Sequence, residues 1–334
     1  MPNPKKKPTT AAFVQGIRQG NVALLSQAIT LMESTHPTHQ AQADAILEAC
    51  LAFRKPAVRV GITGIPGVGK STFIETFGAH IAGQGHRLAV LAVDPTSSRT
   101  GGSILGDKTR MAELSMRDDV YIRPSPAGEA LGGVARKTRE AILLCECAGY
   151  DVILVETVGV GQSETAVHTM VDYFLLLLLA RSGDELQGMK RGIMELADGI
   201  LINKADGEGE AASKRARAEF KSALHLLPPR PDGWSPGVEL SSGLSGLGVA
   251  EAWDTISEYI AQTRGNGHFE RKRTEQNKHW FQQDVRQEAF ERLRSIPEAT
   301  AQLAALQKEV ASGRLSAFRA NRRFYQWLDA QNGH

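Results

Sequence analysis

The chain has 334 residues, 42% of them hydrophobic, and its 39 basic and 37 acidic residues leave a net charge of +2. That length and apolar content suffice for one large α/β core with helical additions at its ends, and the near-balanced charge argues against nucleic acid as the main partner. The longest apolar run, Tyr173 to Ala180, is too short to span a bilayer, no secretory succession opens the chain, and the few cysteines outline no disulfide framework, so a cytoplasmic protein engaging neither membrane nor nucleic acid is expected.

In chain order, Lys5-Lys6-Lys7 between two prolines reads as a solvated tail. Val22, Leu25, Ile29 and Met32 then repeat at helical spacing, and Ala45–Phe53 suggests a second short helix, so residues 1–55 are expected to form an N-terminal helical extension. From Val58 onward, apolar runs alternate with helical patterns. Val58–Thr63, Leu88–Asp94, Val152–Thr157, Tyr173–Ala180, Gly199–Asn203 and Val238–Ser241 read as strands, separated by segments long enough for crossover helices. This predicts an α/β P-loop NTPase core over residues 56–264, built on a mainly parallel, doubly wound sheet. Cys145 and Cys147 stand two apart in a helical stretch, so their side chains diverge rather than converge on a metal. After the break at Gly265-Asn266-Gly267, residues 265–334 carry no strand pattern and read as an arm of two or three helices. Its aromatics, among them Trp280, Phe281, Phe290, Phe318, Phe324, Tyr325 and Trp327, need burial, either in a homodimer interface or by folding back on the core.

The chemistry concentrates at strand ends. Gly64-Ile65-Pro66-Gly67-Val68-Gly69-Lys70-Ser71 follows the first strand and matches the phosphate-loop pattern: glycines let backbone N–H groups crowd around phosphate oxygens, Lys70 reaches the outer phosphates, and the Ser71 hydroxyl is placed to ligate Mg²⁺. Gly64, Pro66, Gly67, Val68, Gly69, Lys70, Ser71 and Thr72 are therefore the expected phosphate-side contacts, beside the positive end of the following helix. A plain glycine turn is the structural alternative, but strand, full motif and apolar helix (Phe73, Ile74, Phe77) stand in the required order.

Asn203-Lys204-Ala205-Asp206 ends another strand and matches the guanine-reading pattern of GTPases. The Asp206 carboxylate can accept from guanine N1–H and N2–H₂, whereas adenine there leaves a carboxylate unpaired. Ser241, Ser242 and Gly243, with Leu244 next to them, lie at a further strand end and are candidates for backbone contact with the base carbonyl, a weaker signal. Val152–Val155 delivers Glu156-Thr157-Val158-Gly159, where Glu156 can reach Mg²⁺ through a water and Gly159 can offer its N–H to the γ-phosphate. Asp94 ends its strand as a candidate metal ligand. Asp107 fits either a metal ligand or a helix N-cap. Gln162, three residues beyond Gly159, is assigned no role.

The strings Val93–Ser98, Thr100–Met111, Glu156–Glu164 and Asp184–Gly188 resemble the MeaB/ArgK family of G-protein chaperones for cobalamin-dependent acyl-CoA mutases, and the resemblance covers nearly the whole chain. It implies a GTPase of the class that includes signal-recognition-particle and metal-insertion GTPases. It also implies a homodimer joined through the C-terminal arm, with GTP or GDP and Mg²⁺ as ligands. The resemblance further implies a client, a methylmalonyl-, isobutyryl- or 2-hydroxyisobutyryl-CoA mutase. GTP turnover would gate the client's loading with adenosylcobalamin from an adenosyltransferase and the removal of damaged cofactor; the cobalamin belongs to the client. Carried over to this sequence, Lys70, Asp94, Asp107, Glu156 and Lys190 are the expected catalytic set, with Ser71, Asp94, Asp107 and Glu156 around the metal. The segment Asp184–Lys190 resembles an additional switch, although the residues alone fit an ordinary loop. The family's Ser-Ala-Leu near the base is replaced here by Ser241-Ser242-Gly243-Leu244. Two rivals stand beside this reading: a metal-insertion GTPase, which would usually show Cys or His near the switches, and a transport-linked ATPase or kinase, which would not need Asn203, Lys204 and Asp206.

Overall fold

The computed structural model describes residues 8–93, 111–124, 131–157, 163–180 and 191–332. They fall into two compact units, 1–273 and 274–334.

The first unit is organised by a seven-stranded sheet: β1 (Val58–Gly64), β2 (Leu88–Val93), β3 (Val120–Arg123), β4 (Val152–Thr157), β5 (Tyr173–Leu179), β6 (Gly199–Asn203) and β7 (Val238–Leu240). Their order across the sheet is β3-β2-β4-β1-β5-β6-β7, and every pairing is parallel. Strands β2 to β4 are laid on one side of β1 and β5 to β7 on the other. Loops leaving the C-terminal ends near β1 therefore diverge and leave a crevice, the usual ligand position in an open α/β sheet.

The apolar run of β5 shows why both faces need helices. Successive side chains alternate between faces, so Leu175 and Leu177 join the core of helices Lys70–Gly83 and Val249–Gly265, where Phe73, Phe77, Trp253 and Ile256 are buried. Leu176 and Leu178 instead meet Ala216 and Phe220 of helix Glu210–Leu224. A strand buried on both faces reads as a continuous apolar run rather than an alternation.

The N-terminal extension has three helices, Thr10–Arg18, Val22–Glu33 and Pro37–Leu51. The first two are capped by Thr9 and Asn21, whose side chains accept from Ala12 N and Leu24 N at 3.2 and 3.1 Å, and the third has proline in its first turn, where the missing N–H costs nothing. The third begins well before the predicted Ala45. These helices pack on helix Leu131–Cys147 and reach the edge strand β3: Ser26 Oγ donates to the Tyr121 hydroxyl at 3.3 Å, and Arg123 forms an ion pair with Glu33. β3 itself was not foreseen. It is four residues long and ends in an arginine that the helical extension neutralises, so its sequence carries no apolar run.

In the second unit, helices Pro297–Ala311 and Ala317–Asn332 share a core of Ala299, Leu306, Leu315, Ala320 and Phe324, with Trp327 packed against it. Phe281, Val285, Phe290, Phe318 and Tyr325 remain exposed. Among the described residues no helix is long and apolar enough to cross a membrane.

Candidate nucleotide site

The crevice is built where β1 ends. Gly64 turns the chain with φ of 155°, and a Cβ there would lie 2.5 Å from the Leu177 carbonyl oxygen, so only glycine permits this approach to β5. Gly69 has φ of 94°, a left-handed conformation that glycine adopts without strain, and it opens helix Lys70–Gly83. Lys70 is buried and folds back over the loop, Nζ donating to the carbonyls of Gly64 and Ile65 at 2.7 and 3.3 Å. Burial lowers its pKa below the ordinary lysine value, while the negative charges of Glu156 and Glu164 oppose that shift. The loop thus holds a poorly hydrated cation, as an anion-binding cradle requires. Val68 is buried, Pro66 and Gly67 are exposed, and Thr72 is exposed in the helix's first turn.

Behind the loop, the Ser71 hydroxyl donates to Glu156 Oε1 at 3.4 Å. Glu156 is next to last in β4, and the next residue ties that strand end to β1, Thr157 Oγ1 donating to Thr63 Oγ1 at 2.8 Å. A hydroxyl and a carboxylate converging beside a phosphate loop are hard oxygen donors, and they fit Mg²⁺.

The base-side motif does more than its pattern announces. Asn203, buried at the end of β6, donates from Nδ2 to the Val68 carbonyl at 2.8 Å, and its Oδ1 accepts from Gly243 N at 3.2 Å and from Ser241 Oγ at 3.3 Å. One amide therefore joins the phosphate loop to the loop after β7. Lys204 has a left-handed φ of 59° and donates to the Gly67 carbonyl at 2.9 Å. Asp206 is half-buried, and among the described residues its carboxylate has no hydrogen-bond or ion-pair partner. It is an acceptor left open beside the phosphate loop.

Gly243 is pressed against helix Lys70–Gly83, where a Cβ would stand 2.7 Å from the backbone N of Phe73. Its carbonyl accepts from Thr76 Oγ1 at 2.5 Å. Ser242 Oγ accepts from the N–H groups of Leu244 and Ser245 at 3.3 and 3.1 Å, so this loop, expected to touch the base, spends the Ser242 hydroxyl and these N–H groups on its own shape and the Ser241 hydroxyl on Asn203.

Lys70, Ser71, Glu156, Asn203, Lys204, Asp206 and the Ser241–Gly243 loop are thus brought to one end of the sheet. Asp94, Asp107, Gly159, Gln162 and Lys190, with the segment 181–190, lie outside the described residues. Sequence reasoning gave no role to Glu164, buried on helix Ser163–His168 with its charge acting on Lys70, nor to Thr76. Nothing local marks either residue, because each contact joins distant segments.

Comparison with known proteins agrees with this geometry. The family model described as "Methylmalonyl Co-A mutase-associated GTPase MeaB" matches residues 25–298. A "Probable GTPase" of Mycobacterium tuberculosis is 50% identical over 308 residues, covering 92% of each chain. The mouse "Methylmalonic aciduria type A homolog, mitochondrial" is 49% identical over 91% of this chain and 76% of its own length. "GTPase ArgK" of Escherichia coli is 46% identical over 85% of this chain and 86% of its own. A solved structure, a "LAO/AO transport system kinase", superposes with a TM-score of 0.79 at 36% identity, covering 98% of this chain and all of that one.

Proposed function

The chain belongs to the MeaB family of methylmalonyl-CoA mutase-associated GTPases, and from that premise we propose that its GTP turnover gates the loading and repair of a cobalamin-dependent acyl-CoA mutase. The observation that carries the nucleotide half of this reading is the bridge from Asn203 and Lys204 to the carbonyls of Val68 and Gly67. Base-side and phosphate-side loops are one hydrogen-bonded unit, so a guanine seated on Asp206 is registered directly in the loop that holds the phosphates. The family name supports the mutase as client.

In this reading Lys70 leaves its two loop carbonyls for the outer phosphates. Ser71 and Glu156, the latter through a water, would hold Mg²⁺ together with Asp94 and Asp107, and the ion would supply neutralisation of the phosphate oxygens. Gly159 would offer its N–H to the γ-phosphate, and Lys190 with the segment 184–190 would carry the nucleotide state to the client. The exposed aromatics of residues 274–334 form a homodimer contact, and the adenosylcobalamin stays with the client.

Single-turnover GTP hydrolysis tests the proposal, measured alone and with purified methylmalonyl-CoA mutase or its isobutyryl and 2-hydroxyisobutyryl counterparts. One of them accelerates turnover at least about tenfold, as expected of a site waiting for a partner to complete it. Identical rates with and without every mutase refute the gating role while leaving the GTPase reading intact.

A further inference from the structure

Thr76 stands in the second turn of helix Lys70–Gly83, the helix that opens from the phosphate loop. A threonine inside a helix ordinarily bonds back to the carbonyl one turn before it. Here that contact, to Thr72 O, is 3.4 Å long, and the single hydroxyl proton is spent on the Gly243 carbonyl at 2.5 Å. The bond spans 167 positions and ties the helix to the loop after β7.

Gly243 is thereby held from two elements. Its N–H donates to Asn203 Oδ1 at 3.2 Å, at the end of β6, and its carbonyl accepts from Thr76. Glycine has no Cβ to restrict its own backbone rotation, so nothing within Gly243 sets where that carbonyl points. The tethers set it. The same loop is bonded to the base-reading motif: Ala205, buried directly before Asp206, donates its N–H to the Ser241 carbonyl at 3.0 Å, and Ser241 N–H donates to the Ile202 carbonyl at 2.9 Å. The Asp206 carboxylate has no partner of its own among the described residues, so its place is inherited from the backbone of Ala205.

We propose that Thr76 is a specificity-determining positioning residue: it holds the Gly243 carbonyl and, through Ser241 and Ala205, fixes the place of the Asp206 carboxylate that reads guanine. The proposal rests on the guanine reading of Asp206 given above.

The two tethers of Gly243 differ in what else they hold. Asn203 also donates to the Val68 carbonyl, so its loss reaches the phosphate loop as well as the base loop. The Thr76 hydroxyl contacts only the carbonyls of Gly243 and Thr72, neither of which belongs to residues 64–71. Its loss therefore appears in base discrimination and leaves phosphate binding in place. One helix serves both ends of the nucleotide, Lys70 at its start for the phosphates and Thr76 further along for the base.

The test measures the affinity of the full chain for GDP, ADP and inorganic tripolyphosphate, each with Mg²⁺, by isothermal titration calorimetry in the unaltered protein and in Thr76→Val, Thr76→Ala and Thr76→Ser. Valine keeps the side-chain shape without the donor, and serine keeps the hydroxyl. Alanine, the strongest helix former, carries the measurement where the valine variant fails to fold. GDP affinity is expected to fall about tenfold in the valine and alanine variants, on the scale of one lost hydrogen bond, with ADP and tripolyphosphate affinities changed by less than about twofold. Thr76→Ser is expected to restore GDP binding. A merely structural role moves all three ligands together, and equal losses overturn the proposal. So does a GDP-to-ADP affinity ratio that both variants keep at its unaltered value, a result that leaves the guanine reading of Asp206 standing. Equal affinities for GDP and ADP in the unaltered protein overturn that reading and the proposal with it.

Discussion

Asn203→Ala separates two ways in which the guanine motif can act. The side chain serves three buried partners: the Val68 carbonyl at 2.8 Å, Gly243 N–H at 3.2 Å and the Ser241 hydroxyl at 3.3 Å. Truncation orphans one backbone acceptor and one backbone donor, each costing about 1–3 kcal/mol when left unmade. Because the hydroxyl can rotate and water can enter from the crevice, a net loss of about 3 kcal/mol is expected, lowering Tm by about 4–5 °C. Loosening the phosphate loop should weaken GDP binding at least about tenfold. Asn203→Asp keeps an acceptor for Gly243 but turns a carboxylate oxygen toward the Val68 carbonyl, so it should melt no higher than the alanine variant. Asp206→Ala is the contrast. Its carboxylate has no partner among the described residues, so stability should change by no more than about 0.5 kcal/mol. Its GDP affinity should fall about a hundredfold, from about 3 kcal/mol of lost charge-assisted hydrogen bonding. Differential scanning calorimetry with GDP and ADP titrations reads both effects. An Asn203→Ala protein with unchanged Tm and abolished GDP binding refutes the bridging argument, and equal affinity of the unaltered protein for GDP and ADP sinks guanine selectivity.

Lys70→Ala is expected to abolish tight GTP binding because it removes the buried cation of the loop, whereas Glu156→Gln should bind GTP measurably and turn it over more slowly; unaltered single-turnover hydrolysis in Glu156→Gln contradicts its metal role. Phe318→Glu with Tyr325→Glu, both exposed aromatics of the second unit, should convert a dimer into a folded monomer by light scattering, and a persistent dimer places the contact elsewhere. Burial, aided by the positive charge of Lys272, lowers His168 to about 4 from an ordinary 6.5. The unfolded chain therefore binds the extra proton first, and stability should fall by about 3 kcal/mol as pH drops from 6.5 to 4. His168→Phe should flatten that slope in denaturant titrations, and an unchanged slope refutes the assignment.

The parallel sheet and the phosphate loop were legible because both depend on local patterns: apolar runs of strand length, and glycines spaced for a turn that enters a helix. The sequence failed where partners are remote. Asn203 was read as a contact to the base, but its first partners are Val68 and Gly243, which no spacing rule connects to it. Helix Thr10–Arg18 shows a further gap: Phe13, Val14 and Ile17 are buried at helical spacing behind the Thr9 cap, but nine residues with only three apolar anchors make a short signal. Strand β3 carries less still, since its place is fixed by Tyr121 and Arg123 meeting the N-terminal helices.

One long-range device was legible in principle, and it explains why the nucleotide site stands at only one end of the sheet. Asp151, Asp172 and Asp198 each directly precede a strand, β4, β5 and β6. Each carboxylate accepts at 2.8 Å from the backbone N–H of a residue in or entering the neighbouring strand: Arg87, Arg59 and Phe174 respectively. In a parallel sheet these entering N–H groups begin the ladder and need acceptors supplied from outside it. Buried carboxylates need counter-charges in turn. Arg273 donates to Asp172 at 2.7 and 2.8 Å, Arg230 pairs with Asp198, and Arg59 itself is held by Glu146 at 2.6 and 2.8 Å. At this end of the central strands, side chains and salt bridges satisfy the exposed backbone. At the other end the work passes to glycine turns, whose N–H groups are the donors left for phosphate, while Lys70 supplies the charge. The same geometry thus demands acidic closure at the strand entrances, which is why an aspartate directly before the apolar run recurs at β4, β5 and β6, and it leaves the exit of β1 to Gly64 and the anion cradle that follows.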